Sequence, residues 1–269
     1  MVTETIPIVI EDVGICIKRY EQIKKTLKLK DPPVSPQIIT EAKPMVTLIE
    51  KGDSDNTTLW TSYMKMWHPR GFNGTMGRNI KFFIVDKLTG CHLGALSIGT
   101  PVYALEARDK FIGWTAQQRI ERINKHVANN WRLLVFPYVN VKNLGSQVLS
   151  QLNTLARDEW KKRYGDALVL LETFVDESEC KGAGLIYKAA GWCELINDNG
   201  VFISHFDAKA KGIKNPTPAR TKGHSFVIRR GVEYGDTLRG LSRAPMINTP
   251  KKIFLKPLHR YWKKTLIGD

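Results

Sequence analysis

W-R-L-L-V-F-P-Y-V-N-V-K-N-L-G-S-Q-V-L-S-Q-L (131–152), then Y-G-D-A-L-V-L-L-E-T-F-V-D (164–176) and G-A-G-L-I-Y-K-A-A-G-W (182–192), is the stretch on which the fold turns. Residues 132–136 form an apolar run of strand length. A polar loop follows, and apolar residues then recur at Leu144, Val148, Leu152 and Leu155. That spacing draws one stripe along a helix, expected over 144–163. Residues 168–175 are a second continuous apolar run, as expected of a strand covered on both faces. Leu185, Ile186, Ala189 and Ala190 give a short helix over 182–190, stopped by Gly191. Strand, loop, helix, strand, short helix reads as a right-handed crossover with a parallel pair at its centre. The loop before the first helix aims backbone N–H groups at whatever lies above the strand ends, which suits an anion such as a pyrophosphate.

These words resemble motifs A and B of the GNAT acyltransferase fold. The family loop reads R/Q-x-x-G-x-G/A, and the matching positions are Asn140, Asn143 and Gly145, followed by Ser146. Gly145 keeps the family residue. I-Y-K-A-A-G-W fits the second motif, with Tyr187 in the place of its tyrosine. A closer resemblance covers roughly residues 80–200. F-I-G-W-T-A-Q-Q-R (111–119), N-N-W-R-L-L-V-F-P, N-L-G-S-Q-V-L-S and L-L-E-T-F-V-D are similar to the DruA family of the Druantia anti-phage system. More distantly, the core resembles the phage Mom proteins, GNAT-like enzymes that modify adenine in DNA. The resemblance implies a mixed α/β (α+β) fold, a GNAT-like sheet with flanking helices, to which the sequence pattern adds an N-terminal helix and a basic C-terminal extension.

At 269 residues, 42% hydrophobic and 25% charged, the chain can bury a full core. Cys16, Cys91, Cys180 and Cys193 include no C-x-x-C pair, which argues against a zinc ribbon or disulfide framework and for a reducing cytosol. No apolar stretch is long enough to span a bilayer and no signal peptide opens the chain, so a cytoplasmic protein is expected. Net charge is +15, and its distribution is uneven: residues 208–269 hold 15 Lys/Arg against 3 acids. A basic block of that size attracts a polyanion, with double-stranded DNA the expected partner.

Three regions are expected: an N-terminal helix and connector (1–44), a core (45–207) and a basic extension (208–269). Val13, Ile17, Tyr20, Ile23 and Leu27 mark an amphipathic helix in the first. Residues 45–49 form a candidate strand. Residues 60–79, rich in aromatics and glycine, read as a loop lying over a ligand, and His68 stands there without a second histidine at metal-ligand spacing. Residues 80–86 and 92–99 around a turn read as a hairpin, with His92 an ordinary strand residue. Thr115 and Gln118 have the spacing of a capping box. In the helix that follows, Arg119, Arg122 and Lys125 share one side, as either a solvated face or one that contacts phosphate. Residues 200–206 form a candidate strand and 208–223 a loop. K-K-I-F-L-K-P-L-H-R-Y-W-K-K (251–264) interleaves apolar and cationic residues, so that it can dock its apolar side while holding charges outward.

Group transfer to an amine needs a donor cradle, an oxyanion donor, a base and an acid. The candidate cradle is Phe136, Asn140, Asn143, Leu144, Gly145 and Ser146, the implied donor acetyl-CoA or a related acyl donor, and no metal is expected. Glu172, inside an apolar strand, is either a base raised by burial or half of a structural ion pair with Arg132. Asp176 is the second acid, and Tyr187 matches the family's acid by position. Candidate nucleic-acid contacts are Trp114, Arg119, Arg122, Lys125, Lys222, Arg229, Arg230, Lys251, Lys252, Arg260, Lys263 and Lys264. The Asn143 side chain would crowd a pyrophosphate lying on bare backbone. The expected function is transfer of a small acyl or alkyl group to a DNA base amine. The alternative is a non-catalytic DNA-binding component of a defence system or mobile element, with other such proteins as partners.

Overall fold

The computed structural model describes residues 38–68, 72, 74, 77–177, 182–221 and 250–268. The expected helix within 1–30 and residues Lys222, Arg229 and Arg230 lie outside the described residues. In chain order the first elements are β1 (Pro44–Leu48), α1 (Ser54–Trp67), β2 (Asn79–Asp86), β3 (His92–Gly99), α2 (Glu106–Ile112) and α3 (Ala116–His126). There follow β4 (Val127–Val135), α4 (Leu144–Tyr164), β5 (Leu170–Val175), α5 (Ala183–Ala189) and β6 (Cys193–Asp198). The last are β7 (Val201–Ser204), α6 (His205–Ala210), β8 (Lys252–Pro257) and α7 (Trp262–Ile267). The mixed α/β class holds. The chain divides into two compact units: Met1–Thr100 with Ala128–Leu168, and Pro101–Val127 with Val169–Asp269.

In the first unit β1, β2, β3 and β4 are neighbours in that order, all antiparallel, with Val46 opposite Ile84, Phe82 opposite Leu96 and Leu96 opposite Leu133. Gly94 is required where β3 meets β4, because a Cβ there would run into the Leu134 carbonyl oxygen. α4 buries Leu144, Val148 and Leu152 of the expected stripe together with Leu149, Ala156 and Trp160, while Leu155 is half-buried, and it ends at left-handed Gly165.

Two expectations are corrected here. Residues 60–67 are not loop but the second half of α1. Asp53 caps that helix by accepting from the Asn56 N–H at 3.0 Å, and Trp60, Tyr63, Met64 and Trp67 fall on one buried face. Phe72 meets the Trp60 ring at 4.9 Å, so this aromatic cluster serves the core. β4 begins five residues before the expected strand. Its polar start is accommodated at a bulge, where Asn130 Nδ2 donates to the carbonyls of Ser97 (3.0 Å) and Arg132 (3.1 Å).

In the second unit the strand order is β5, β8, β6, β7, again antiparallel, with Leu255 opposite both Glu172 and Cys193. Residues 251–264 therefore do more than dock one side on a finished domain. Ile253, Phe254 and Leu255 are all completely buried in β8 between two other strands, and α7 follows with Leu266 in the same core. The basic composition of the segment concealed this, since Lys251, Lys252, Lys256 and Pro257 flank only three consecutive apolar residues. Residues 205 and 206, expected to end a strand, and 208–210, expected to begin a loop, form α6, whose N-cap Ser204 accepts from the Asp207 N–H at 3.1 Å.

Candidate functional site

Glu172 lies mid-strand in β5, completely buried. A carboxylate there requires partners, and it has them. Arg108 Nη1 donates to Glu172 Oε2 at 2.6 Å, and the Val102 N–H donates to Oε1 at 2.8 Å. The expected partner was Arg132; the actual one is Arg108, in the second unit with Glu172. Arg108 is itself completely buried and spends its other donors on the Val102 carbonyl (2.7 Å), the Tyr103 carbonyl (3.2 Å) and Asp109 Oδ1 (2.8 Å). Asp109 Oδ2 in turn accepts from Arg119 Nη1 at 3.0 Å. Two acids and two guanidiniums thus alternate in a neutral chain that ties segment 102–105 and α2 to β5. Burial pushes the Glu172 carboxyl above the usual range, against the pull of Arg108 and the Val102 N–H. Burial opposes the charge on Arg108, but Glu172 and Asp109 outweigh it and hold that group above its ordinary value. Both Glu172 oxygens are engaged and neither meets solvent.

Asp176, one residue past β5, is nearly buried. Its neighbour Glu177 accepts from Lys252 at 2.6 Å, which holds Glu177 below the usual carboxylate range. Tyr187 on α5 is buried, its ring edge-on to Trp192 at 5.1 Å and tilted against Phe254 at 5.7 Å.

The donor-type loop belongs to the first unit. Phe136 is buried among the rings of Tyr63, Trp67 and Tyr138, and its N–H donates to the Leu93 carbonyl at 3.0 Å. The Asn140 N–H is taken by the Ile39 carbonyl at 2.8 Å, because segment 38–40 runs parallel to 138–140. Leu144 turns into the core. Of the six candidate positions, Gly145 and Ser146 keep first-turn N–H groups with no intrahelical partner. Asn143, at the N-cap of α4, adopts φ 60°, ψ 12° and makes no side-chain cap. Asparagine tolerates this left-handed conformation better than other non-glycine residues, which explains how it stands where the resemblance has glycine.

The cationic candidates divide. Arg119 is held by Asp109 and lies 5.1 Å over the Tyr103 ring, while Arg122 Nη1 donates to the Thr265 carbonyl at 2.8 Å. Trp114 is a core residue beneath the Arg108 guanidinium, 5.7 Å away, and presents no open stacking face. Lys252 bridges Glu177 and Glu194. Lys251 is half-buried beside Thr221, to whose Oγ1 its N–H donates at 3.2 Å. Lys125, Arg260, Lys263 and Lys264 remain exposed, with Arg260 4.9 Å over the Tyr261 ring. Among the described residues no cluster of His, Cys, Asp and Glu could hold a metal, and no helix is long and apolar enough to cross a membrane.

The family profile described as Druantia protein DruA matches residues 17–210. The chain belongs to the DruA family. Over 93 residues it is 29% identical to the Druantia protein DruA of Escherichia coli (strain UMEA 4076-1), a match covering 34% of this chain and 23% of that relative. Similar solved structures include a candidate acetyltransferase from Sphaerobacter thermophilus DSM 20745 (12% identity, 81% of this chain, 96% of that one, TM-score 0.38). Another is the aminoglycoside acetyltransferase AAC(6')-Ib in complex with coenzyme A and kanamycin (14% identity, 63% and 99% coverage, TM-score 0.36). In this DruA-family chain the residues that sequence reasoning missed are Arg108 and Asp109. The available signal was indirect: a carboxylate in an apolar strand demands a cation, and E-A-R-D-K-F-I (106–112) offers an arginine next to Ala107 on a short helix.

Proposed function

We propose that this DruA-family chain is a nucleic-acid-binding component of anti-phage defence, and that Glu172 serves its fold rather than proton transfer. The observation that carries the reading is charge left on the surface. Arg260 and Lys264 are exposed beside Tyr261 at the start of α7, whereas Lys263 donates to the Phe111 carbonyl at 2.9 Å, on a chain with 41 Lys+Arg against 26 Asp+Glu. Cations beside an exposed aromatic suit a phosphate backbone with stacked bases. The sealed Glu172–Arg108 pair supports the non-catalytic half, because a base must come within hydrogen-bond reach of its substrate. Titrating the full chain against labelled duplex DNA tests the binding.

One observation favours a second reading, transfer to a base amine. The first turn of α4 offers the Gly145 and Ser146 N–H groups to an anion, and Asn143 already holds a glycine-like conformation. A coenzyme A-type donor would meet its phosphates there and would supply an activated acyl group. Nucleoside mass spectrometry of DNA from cells with and without the protein separates the readings: a modified base supports transfer, and unchanged nucleosides support binding alone.

A further inference from the structure

The second unit carries a cleft of about 630 Å³, within the size range of small-ligand sites. Leu105, Phe174 and Phe202 supply apolar lining, and Arg119, Arg220 and Lys251 supply charge. The cleft follows from strand alternation. Glu172 and Phe174 project to the same face of β5. Arg108 seals the first, whereas Phe174 stays half-buried, as does Phe202 on β7.

The basic side is fixed by backbone pairing. The Thr221 N–H donates to the Lys251 carbonyl at 2.9 Å, and Arg220 faces Lys252 in an antiparallel bridge. Acids in the wall are already matched: Asp109 lies between Arg108 and Arg119, and Glu106 pairs with Lys110 at 2.9 Å. Arg220 donates from Nη1 to the Pro250 carbonyl at 3.2 Å and reaches Glu177 from Nη2 at 3.5 Å, and its side chain is 41% exposed. Apolar walls with two part-open phenyl rings beside a guanidinium match a flat aromatic ring that carries an anion.

We propose that this cleft binds one nucleotide, its base against Phe174 and Phe202 and its phosphate at Arg220. The proposal rests on the nucleic-acid reading above and gives it a specific site. The nucleotide can arrive free or as one residue of a strand turned out from its neighbours.

The test is calorimetric titration of the full chain with 5′-AMP, adenosine, inorganic phosphate and a six-residue oligo-dA. Ala104→Trp fills the cleft from an exposed lining position, and Arg220→Gln removes its anion donor from an exposed side chain, so one variant serves if the other does not fold. We expect 5′-AMP or the oligomer to bind, adenosine and phosphate at least about tenfold more weakly, and each folded variant to lose roughly tenfold or more. Binding of 5′-AMP points to a free nucleotide, and binding of the oligomer alone points to a strand. Phosphate binding as tightly as 5′-AMP, or wild-type affinity in the folded variants, overturns the proposal. Duplex DNA bound without either nucleotide probe overturns the cleft and leaves the nucleic-acid reading standing. Loss of all nucleic-acid binding removes both.

Discussion

Arg108 Nη1 and Glu172 Oε2 are 2.6 Å apart with neither side chain exposed to solvent. An ion pair so placed is dangerous to break from one side, because the remaining charge stays buried without its partner. Glu172→Gln should therefore lower stability by about 3 kcal/mol in urea unfolding. The double variant Arg108→Met/Glu172→Leu should lose less than the sum of its single changes. A Glu172→Gln protein as stable as wild type but functionally dead would return Glu172 to a catalytic role.

His92 supplies a pH signature in the first unit. Desolvation lowers its pKa to about 4, and its Nδ1 lies 3.1 Å from the Tyr63 hydroxyl with the Phe83 ring 4.4 Å away. The folded pKa is below the unfolded one, so the neutral ring contributes stability that is full above about pH 6.5 and is lost as pH falls toward 4. Thermal melts across that window should show His92→Phe losing this part of the slope. An unchanged slope would mean that His92 is not its source.

Arg122 was a candidate phosphate contact, but its Nη1 donates to the Thr265 carbonyl at 2.8 Å, and Gln118 Nε2 donates to the Ile267 carbonyl nearby. These bonds fasten α3 to the end of α7. Arg122→Met should cost about 1 kcal/mol of stability while leaving the salt dependence of DNA binding as it was. A shallower salt slope with unchanged stability would place Arg122 on phosphate instead.

The elements legible in the sequence were those whose period matches their burial. The α4 stripe, the β2–β3 hairpin and the Thr115/Gln118 capping box, with Gln118 N donating to Thr115 Oγ1 at 3.2 Å, needed only local reading. β8 was not legible because three apolar residues among lysines look like an amphipathic surface until β5 and β6 are seen on either side. Similarly, α1 was hidden in an aromatic-rich stretch, where the helical spacing of Trp60, Tyr63, Met64 and Trp67 was outweighed by the glycines that follow. At the candidate site, sequence could say that Glu172 needed a partner or a task. It could not say that Arg108, 64 residues earlier, supplied the partner, since that depends on how α2 returns to β5.

The most direct test of the central claim is the affinity of the full chain for a short DNA duplex, measured by fluorescence anisotropy between 50 and 200 mM salt. The truncation that the sequence invites, removal of 208–269, is unsuitable because it would take β8 out of the sheet. Arg260→Glu/Lys264→Glu instead reverses two exposed charges outside that strand. We predict a linear fall of log K with log salt for the wild type, and for the double variant about tenfold weaker binding with a slope shallower by roughly two phosphate contacts. No measurable binding at 50 mM salt, or binding indifferent to salt and to both reversals, would contradict the account.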